Sequence, residues 1–441
     1  MKKLNKYGVI FAVALMIGTI FPSFLMGAQT ASAAEAPEIN AAAAFAIEAK
    51  TGKVLVNKNG DEKLGIASMT KMITEYLVLE AIKDGELKWD QKITIDDYSY
   101  KTSQNSELSN VPLRLGEQYT VKELYEAMAI YSANAAAISL AQAISGSEPQ
   151  FVDAMREKVI SWGAKAEDIY LINATGLTNS DLNGNLYPGS AETDENMMTA
   201  RDMALVAQHL LNDHPEVIET AKIPTLDFRK GTSDEIHMEN WNWMLPGLIY
   251  ARDNVDGLKT GTTDIAGACF TGTAEENGMR IITVVMNAGD GETNKGARFE
   301  ETAKIMDYAF DNFEMKELVK KGDTNKALKA INVAKGKEDS VKLVMDTNVN
   351  AIVQKDTEVK NLKVTYTEKE GLLNSDKELV APIKKGMEVG TAQVAPTNDT
   401  LGYINGATGQ EVKVVTASEV EKANFFVLTG REIKSFFTNL F

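Results

Sequence analysis

Residues 255–287, VDGLKTGTTDIAGACFTGTAEENGMRIITVVMN, decide the fold that we predict for this chain. Two strand-like runs, Gly267 to Glu275 and Met279 to Asn287, flank Asn277-Gly278, a dipeptide that supplies the positive backbone angles of a tight turn. The run before them contains Lys259-Thr260-Gly261 and can lie beside this hairpin as an edge strand. The sequence therefore predicts neighbouring antiparallel strands in this part of the chain.

A second hairpin is predicted near the start of the chain, where Ala43 to Glu48 and Val54 to Val56 flank Lys50-Thr51-Gly52-Lys53. The segments between the two hairpins read as helices, and they are Ser68 to Ile82, Val121 to Ile144, Glu148 to Trp162 and Ala200 to Leu211. An amphipathic helix, Arg298 to Phe313, closes the region. Strands at both ends with helices between them predict an α/β sandwich around one sheet, which we assign to residues 34–313.

The pattern changes between residues 314 and 416. Short strand-like runs alternate with turn residues there, and they are Val341 to Met345, Asn361 to Thr365, Leu379 to Ile383, Met387 to Val394 and Glu411 to Thr416. We predict a small β-rich domain, and nothing in it indicates catalysis.

Residues 417–441 are predicted to form a C-terminal amphipathic helix. Ser418-x-x-Glu421 fits a capping box at its start. Helical periodicity collects apolar side chains on one face, namely Phe425, Phe426, Ile433, Phe436, Phe437, Leu440 and Phe441. Such a helix can dock on its own protein or lie in a membrane interface, and the phenylalanine-rich face favours the membrane surface as its partner. Its apolar runs are too short to span a bilayer.

Residues 1–33 are predicted to be a secretory signal peptide. Lysines at the start precede an apolar run from about Val9 to Ile20, and Ala31-Ser32-Ala33 offers a small-x-small cleavage site. The alternative, an uncleaved membrane helix, is disfavoured because Pro22 interrupts a span that is already short. We therefore expect a secreted protein.

Charge and composition exclude several classes of protein. The chain has 441 residues and a formal net charge of −16 at pH 7. Such a charge argues against binding to nucleic acid, because phosphate recognition needs clustered Lys and Arg. With one cysteine no intrachain disulfide can form, and three histidines are too few for a typical metal centre. No cofactor is expected.

The candidate nucleophile is a serine whose predicted base is a lysine and not a histidine. Ser68-Met69-Thr70-Lys71 opens an apolar helical segment, and a spacing of three residues places Ser68 and Lys71 on the same side of it. The positive end of the helix dipole favours an ionising hydroxyl and a neutral lysine, so Lys71 can activate Ser68 as a base.

Two further motifs complete the candidate site. Ser132-Ala133-Asn134 lies in an apolar stretch predicted to be helical, where a hydroxyl can relay a proton and an amide can hold a substrate backbone. Lys259-Thr260-Gly261-Thr262 lies on the predicted edge strand and can offer main-chain donors to an extended peptide. Each motif is short, and the chain contains a second copy of two of them, Ser103-Gln104-Asn105 and Lys50-Thr51-Gly52. Order along the chain and local context select Ser132 and Lys259.

The three motifs, S-x-x-K, S-x-N and K-T-G in this order, resemble those of the serine penicillin-recognising enzymes. The sequence segments around these motifs are similar to those of the secreted D-alanyl-D-alanine carboxypeptidases, among them IASMTKMITEYLVLEAI, YSANAAAISLA and NATGL (Asn173 to Leu177). That resemblance implies a β-lactamase/transpeptidase-like catalytic domain, a β-rich second domain and a helix that anchors the enzyme to the outer face of the bacterial cytoplasmic membrane. It implies removal of the last D-alanine from peptidoglycan pentapeptide stems, with β-lactams as covalent inhibitors.

The resemblance also assigns roles to residues. Ser68 is the nucleophile, Lys71 its base and Ser132 a proton relay, and the backbone N–H groups of Ser68 and Thr262 form an oxyanion hole. The residues that it places around the substrate are Asn134, Lys259, Thr260, Gly261, Thr262 and Arg298. For Arg298, a helix-surface arginine is the alternative interpretation.

Several alternatives remain open from sequence. A D,D-endopeptidase of the same fold and a noncatalytic penicillin-binding cell-wall protein both fit the motifs. A class A β-lactamase is disfavoured, because Ala133 replaces the Asp of S-D-N and no E-x-x-L-N occurs between Asn134 and Lys259. We therefore expect poor β-lactam turnover. Cys269 is expected to be a buried strand residue, with an exposed thiol as the alternative.

Overall fold

The structure is a computed structural model that describes residues 36–289, 293–355, 357 and 361–438, with the backbone alone from 432 onward. The predicted signal peptide, residues 1–33, lies outside these described residues.

The first region runs to residue 312. Its strands are β1 (Ala41–Glu48), β2 (Val54–Lys58), β3 (Lys63–Gly65), β4 (Lys92–Thr94), β5 (Gln118–Thr120), β6 (Met197–Thr199), β7 (Thr225–Phe228), β8 (Ile236–Glu239), β9 (Val255–Thr263), β10 (Gly267–Glu276) and β11 (Met279–Ala288). Its helices are α1 (Lys71–Lys83), α2 (Asp97–Ser103), α3 (Val121–Tyr131), α4 (Asn134–Ser145), α5 (Glu148–Ser161), α6 (Ala200–Asp213), α7 (Val217–Ala221) and α8 (Ala297–Asn312). Short 3-10 turns cover Ala67–Thr70, Ala166–Asp168 and Asn179–Leu182.

The second region is built mainly from strands. They are β12 (Phe313–Val319), β13 (Ile331–Ala334), β14 (Ser340–Val341), β15 (Leu343–Met345), β16 (Val349–Gln354), β17 (Leu362–Glu368), β18 (Leu379–Val380), β19 (Glu388–Pro396) and β20 (Gln410–Thr416). The helix α9 (Phe425–Thr438) follows them.

One antiparallel sheet, in the order β2-β1-β11-β10-β9, forms the centre of the first region. Asn277 and Gly278 make the two-residue turn between β10 and β11, with φ values of 51° and 77°, so the predicted hairpin is confirmed. Side chains alternate between the faces. One face joins the core shared with α1, α3, α4 and α6, and the other packs on α8. The predicted α/β sandwich is confirmed, and β9 lies at the sheet edge as expected.

The predicted helix from Val121 to Ile144 is wrong as a single element. The chain leaves the helix at Ser132, whose φ of 61° places it in the left-handed region, and α4 begins at Asn134. The N–H of Asn134 donates to the carbonyl of Ser109, 3.0 Å away, instead of continuing the helix. The apolar periodicity continues across this break because both helices bury their small residues in the same core, which hid the break from sequence.

The β-rich character of the second region is confirmed, although its strands differ in detail from those predicted. The run predicted from Val341 to Met345 splits, because β14 pairs with β13 and β15 pairs with β20. Three strands, β12, β13 and β16, were not predicted. Polar residues within β12 (Glu314, Lys316 and Glu317) and β13 (Asn332) dilute their apolar pattern.

The C-terminal helix begins at Phe425, so the capping box predicted at Ser418 is wrong. Val420 and Lys422 instead bridge to Ile383 and Gly336 in the β-rich region, which holds this segment extended. Asn424 supplies the N-terminal cap, because its Oδ1 accepts the N–H of Val427 at 3.0 Å. None of the described helices combines the length and the apolar character needed to cross a lipid bilayer.

Candidate active site

Ser68 lies in the 3-10 turn that leads into α1. Ser68 is partly exposed, whereas its neighbours Ala67, Met69 and Thr70 are buried, so the turn presents this one side chain. Two glycines allow other segments to approach the turn closely. A Cβ on Gly261 would lie 2.6 Å from the carbonyl oxygen of Ile66, and one on Gly176 would lie 1.8 Å from that of Ala67. The strand β9 and the NATGL loop are therefore packed directly on the turn that carries Ser68.

Lys71 is fully buried and its amine contacts Ser68. Its Nζ lies 2.9 Å from Ser68 Oγ, 2.8 Å from Asn134 Oδ1 and 2.8 Å from the carbonyl oxygen of Thr175. Burial, with a smaller contribution from the charge of Lys259, holds the pKa of Lys71 well below its usual range. A neutral amine has two N–H donors for Asn134 and Thr175 and one lone pair for the Ser68 hydroxyl. The arrangement thus suits Lys71 to accept a proton from Ser68.

The break between α3 and α4 positions the S-x-N motif. Ser132 and Asn134 both line the cavity in front of Ser68. The Asn134 side chain is held at both ends, because its Oδ1 accepts from Lys71 and its Nδ2 donates to the carbonyl of Ser109 at 3.0 Å. A fixed amide beside the nucleophile can orient a substrate peptide group.

The K-T-G motif lies on the edge strand β9. Thr260, Gly261 and Thr262 line the cavity, and Thr262 is exposed to it. Lys259 is buried, and burial is the main reason why its pKa is lowered to about 8. The neighbouring charge of Glu75 opposes this lowering and that of Arg298 adds to it.

Arg298 lies behind the end of β9. Only 3% of the residue is exposed, so the interpretation as a helix-surface arginine is wrong. Its guanidinium donates to the carbonyls of Gly261 at 2.8 Å and Cys269 at 3.0 Å, and to Thr262 Oγ1 at 2.8 Å. Burial lowers its pKa to about 10, so it stays charged near neutral pH. Arg298 therefore orients Thr262 and adds positive charge to this end of the cavity.

These residues share one cavity of about 570 Å³. Every predicted site residue except Lys71 and Lys259 lines its wall, and those two lysines lie buried beneath it. Gln104 and Asn105, from the second copy of the S-x-N pattern, also line the cavity, as do Trp241 and Trp243. Sequence reasoning missed the two tryptophans, although WNW at 241–243 was a visible aromatic cluster.

Cys269 is fully buried on β10, as expected for a small strand residue. Burial raises the pKa of its thiol to about 11. The exposed-thiol alternative is therefore wrong.

Two family models match the chain. One, described as D-alanyl-D-alanine carboxypeptidase of peptidase family S11, covers residues 30–290, and the other, described as the C-terminal domain of penicillin-binding protein 5, covers residues 313–422. The chain belongs to the D-alanyl-D-alanine carboxypeptidase family. The resemblance stated from the motifs is thus confirmed, and with it the assignment to the serine peptidases.

A curated relative and two solved structures are similar to more than half of the chain. The D-alanyl-D-alanine carboxypeptidase DacF of Bacillus subtilis (strain 168) is 30% identical over 95% of both chains. The crystal structure of a peptidoglycan synthesis regulatory factor (PBP3) from Streptococcus pneumoniae has a TM-score of 0.69 and 38% identity, and covers 87% of this chain and 100% of that one. Penicillin-binding protein D2 from Listeria monocytogenes, solved in an ampicillin-bound form, has a TM-score of 0.51 and 31% identity, and covers 63% of this chain and 99% of that one.

Proposed function

We propose that this protein is a D,D-carboxypeptidase that removes the terminal D-alanine from peptidoglycan pentapeptide stems through an acyl-enzyme on Ser68. The observation that carries the proposal is the buried amine of Lys71, 2.9 Å from Ser68 Oγ. An activated serine beside a fixed amide and an edge strand is the machinery of acyl transfer from a peptide.

Acylation begins when Ser68 Oγ attacks the carbonyl between the two D-alanines and its proton passes to Lys71. The oxygen of the tetrahedral intermediate accepts from the backbone N–H groups of Ser68 and Thr262. Ser132 and Lys259 pass the proton taken up by Lys71 on to the leaving amine, so Lys71 becomes neutral again and the D-alanine departs. Water then hydrolyses the ester on Ser68 and regenerates the hydroxyl.

Substrate binding uses both ends of the cavity. Asn134 holds the amide of the acyl portion, since its side chain is fixed between Lys71 and Ser109. The terminal carboxylate of the substrate meets the hydroxyls of Thr260 and Thr262 and the positive field of Arg298. In this assignment Arg298 acts mainly by orienting Thr262, because it already donates four hydrogen bonds within the protein.

A β-lactam is expected to acylate the same serine. The ampicillin-bound form of the Listeria relative supports this expectation. Between Asn134 and Lys259 the chain has no E-x-x-L-N segment of the kind with which class A β-lactamases position a deacylating water, so we expect the acyl-enzyme to persist. Rapid nitrocefin hydrolysis by the purified protein would contradict this expectation.

We further propose that the mature protein works at the outer face of the bacterial cytoplasmic membrane. Residues 1–33 have the sequence of a signal peptide. At the other end of the chain, α9 exposes 75% of Phe425 and 83% of Phe426. Large apolar side chains this exposed at a chain terminus suit insertion into a lipid interface.

The decisive experiment measures D-alanine release from a soluble pentapeptide, with and without penicillin. We expect release by the wild type, inhibition by penicillin, and loss of both release and fluorescent-penicillin labelling in Ser68→Ala. Ser106→Ala is the matched control, because Ser106 is an exposed serine that lines the same cavity and has no role in the mechanism. Normal labelling of Ser68→Ala would overturn the assignment of the nucleophile.

The same assay separates the alternatives. A D,D-endopeptidase would bind penicillin and cleave cross-linked peptide dimers but release no D-alanine from the pentapeptide. A noncatalytic cell-wall protein would show neither D-alanine release nor covalent labelling.

A further inference from the structure

Glu75 is a buried acid that the proposed mechanism does not use. It follows Lys71 by four residues on α1, so both side chains leave the helix on the same side. Only 4% of Glu75 is exposed. The helix α1 packs against β9, which carries Lys259, and against α3, which carries Tyr125.

The site places three basic side chains in the interior of the protein. Lys71, Lys259 and Arg298 are all buried. The amine of Lys71 is held by the neutral oxygens of Ser68, Asn134 and Thr175, and that of Lys259 lies near the main-chain oxygen of Thr260 at 3.3 Å. Among the residues that the structure describes, neither lysine has a carboxylate at ion-pair distance. Buried charges are costly unless a charge of opposite sign compensates them.

Glu75 is the buried acid that the fold brings near both lysines, because it shares α1 with Lys71 and α1 packs on β9, which carries Lys259. The titratable groups coupled to it by charge are Lys71 on its own helix, Lys259 on β9 and Tyr125 on α3. Burial raises the pKa of Glu75 to about 7, and the two lysines oppose this rise. On the neighbouring helices α5 and α6, Lys158 pairs with Glu80 and Asp213 accepts from Tyr76, so these groups engage other residues of α1.

We propose that Glu75 is a positioning residue whose single negative charge sets the protonation of the two active-site lysines. One buried carboxylate compensates one ammonium, and the two amines repel each other when both are charged. When Glu75 is ionised, the stable combination is therefore a protonated Lys259 and a neutral Lys71. This combination supplies the base and the cation that the proposed function requires, and the inference rests on that function.

The test is the pH dependence of kcat/KM for D-alanine release and of the rate of penicillin acylation in Glu75→Gln. Gln keeps the size of the side chain and removes its charge, so the pKa of both lysines should fall. Because Lys71 must be neutral and Lys259 protonated, we expect both limbs of the profile to move to lower pH, by on the order of one unit. Glu75→Asp keeps the charge and should restore most of the wild-type profile.

Glu80→Gln is the matched control. It removes the same charge from the same helix, but at a half-buried position where Glu80 pairs with Lys158. We expect its profile to match that of the wild type.

If both limbs of the pH profile of Glu75→Gln stay at their wild-type pH values, the proposal is overturned. This holds even if the rates fall equally at every pH, because a uniform loss indicates a structural role. If Glu75→Gln does not fold, Glu75→Met removes the charge with an unbranched apolar side chain, and failure of both variants to fold would also overturn the proposal. A wild type that neither releases D-alanine nor binds penicillin would instead refute the proposed function.

Discussion

Lys71 lies where water does not reach its amine, and its partners are neutral oxygens from three different segments. Asn134 is 63 residues away along the chain and Thr175 is 104 residues away. Burial penalises the ammonium form, so the lysine can take a proton from a serine without the histidine that many serine hydrolases use. The chemistry of this one residue therefore depends on the packing of the whole first region.

Lys259 should set the alkaline limit of activity. Its pKa is lowered to about 8, mainly by burial, so the side chain is charged below that pH and loses its charge above it. If the charged form assists the leaving amine, kcat/KM should decline above about pH 8. Lys259→Arg, whose side chain keeps its charge at higher pH, should move the decline upward. A decline at the same pH in both proteins, measured by D-alanine release, would assign it to another group.

Gly261 allows β9 to approach the nucleophile turn. In Gly261→Ala the new Cβ would lie 2.6 Å from the carbonyl oxygen of Ile66, so strand or turn must move. We expect loss of stability by about 1–3 kcal/mol and a large decrease in the rate of penicillin acylation. Thermal unfolding and fluorescent-penicillin labelling measure the two effects.

Gly430→Ala is the control for Gly261→Ala, because a Cβ at this position of α9 meets open space. It should leave acylation unchanged. Equal effects of the two substitutions would show that the close approach of β9 is unimportant.

At the scale of elements, the break between α3 and α4 places Ser132 and Asn134 in the cavity. The site requires two things of Ser132. Its hydroxyl is needed for proton transfer, and its backbone must adopt the left-handed conformation, with φ of 61°. Only glycine adopts that backbone at no steric cost.

Substitutions of Ser132 can separate these requirements. Ser132→Gly and Ser132→Ala both lack the hydroxyl and should lose kcat to a similar extent, by roughly 10²–10⁴-fold. The glycine variant should be the more stable of the two by about 1 kcal/mol, because alanine is strained in the left-handed region. Steady-state kinetics and denaturant unfolding test both parts, and an active glycine variant would remove Ser132 from the proton path.

The exposed start of α9 should govern membrane binding. The mature protein is expected to sediment with lipid vesicles, and the double substitution Phe425→Ser/Phe426→Ser should release most of it. Each buried phenylalanine contributes about 1.5–3 kcal/mol to the transfer from water. Val380→Ser is the control, since Val380 is an exposed apolar residue of the β-rich region, 51% exposed, that lies outside α9. Undiminished sedimentation of the double variant would refute the proposed anchor.

At the scale of the molecule, the turn between β1 and β2 is joined to the loop after β19. Lys53 forms an ion pair with Asp399 at 2.7 Å, and its amine also donates to the carbonyl of Gly402. The main chain adds two hydrogen bonds, from Val54 to Gly402 and from Ile404 to Gly52. These contacts give the β-rich region a polar connection to the central sheet of the first region.

Breaking this connection should lower stability without affecting catalysis. The side chains of Lys53 and Asp399 are 6% and 8% exposed, so Asp399→Asn leaves a buried ammonium without a counter-charge and should cost up to about 3–5 kcal/mol. The control is Glu421→Gln, which breaks the exposed pair with Lys337 and should cost no more than about 1 kcal/mol. Denaturant unfolding gives the difference, and similar values for both variants would contradict the structural role.

The amino-acid sequence was enough to predict the local elements and to identify the reactive side chains. Asn277-Gly278 specified a hairpin because few residue pairs adopt its backbone angles, and the three short motifs pointed to a lysine-activated serine through their chemistry and order. These features depend on residues that lie close together in sequence, so they can be recognised without the fold.

What surrounds those side chains depends on how the whole chain packs. The helix break at Ser132, the burial of Arg298 behind Thr262 and the burial of Glu75 four residues after Lys71 all depend on segments far apart in sequence. Burial is a collective property of the packed chain, and it is burial that sets the charge state of each group in the site. Local patterns identified the lysines, whereas the fold determines which of them is neutral.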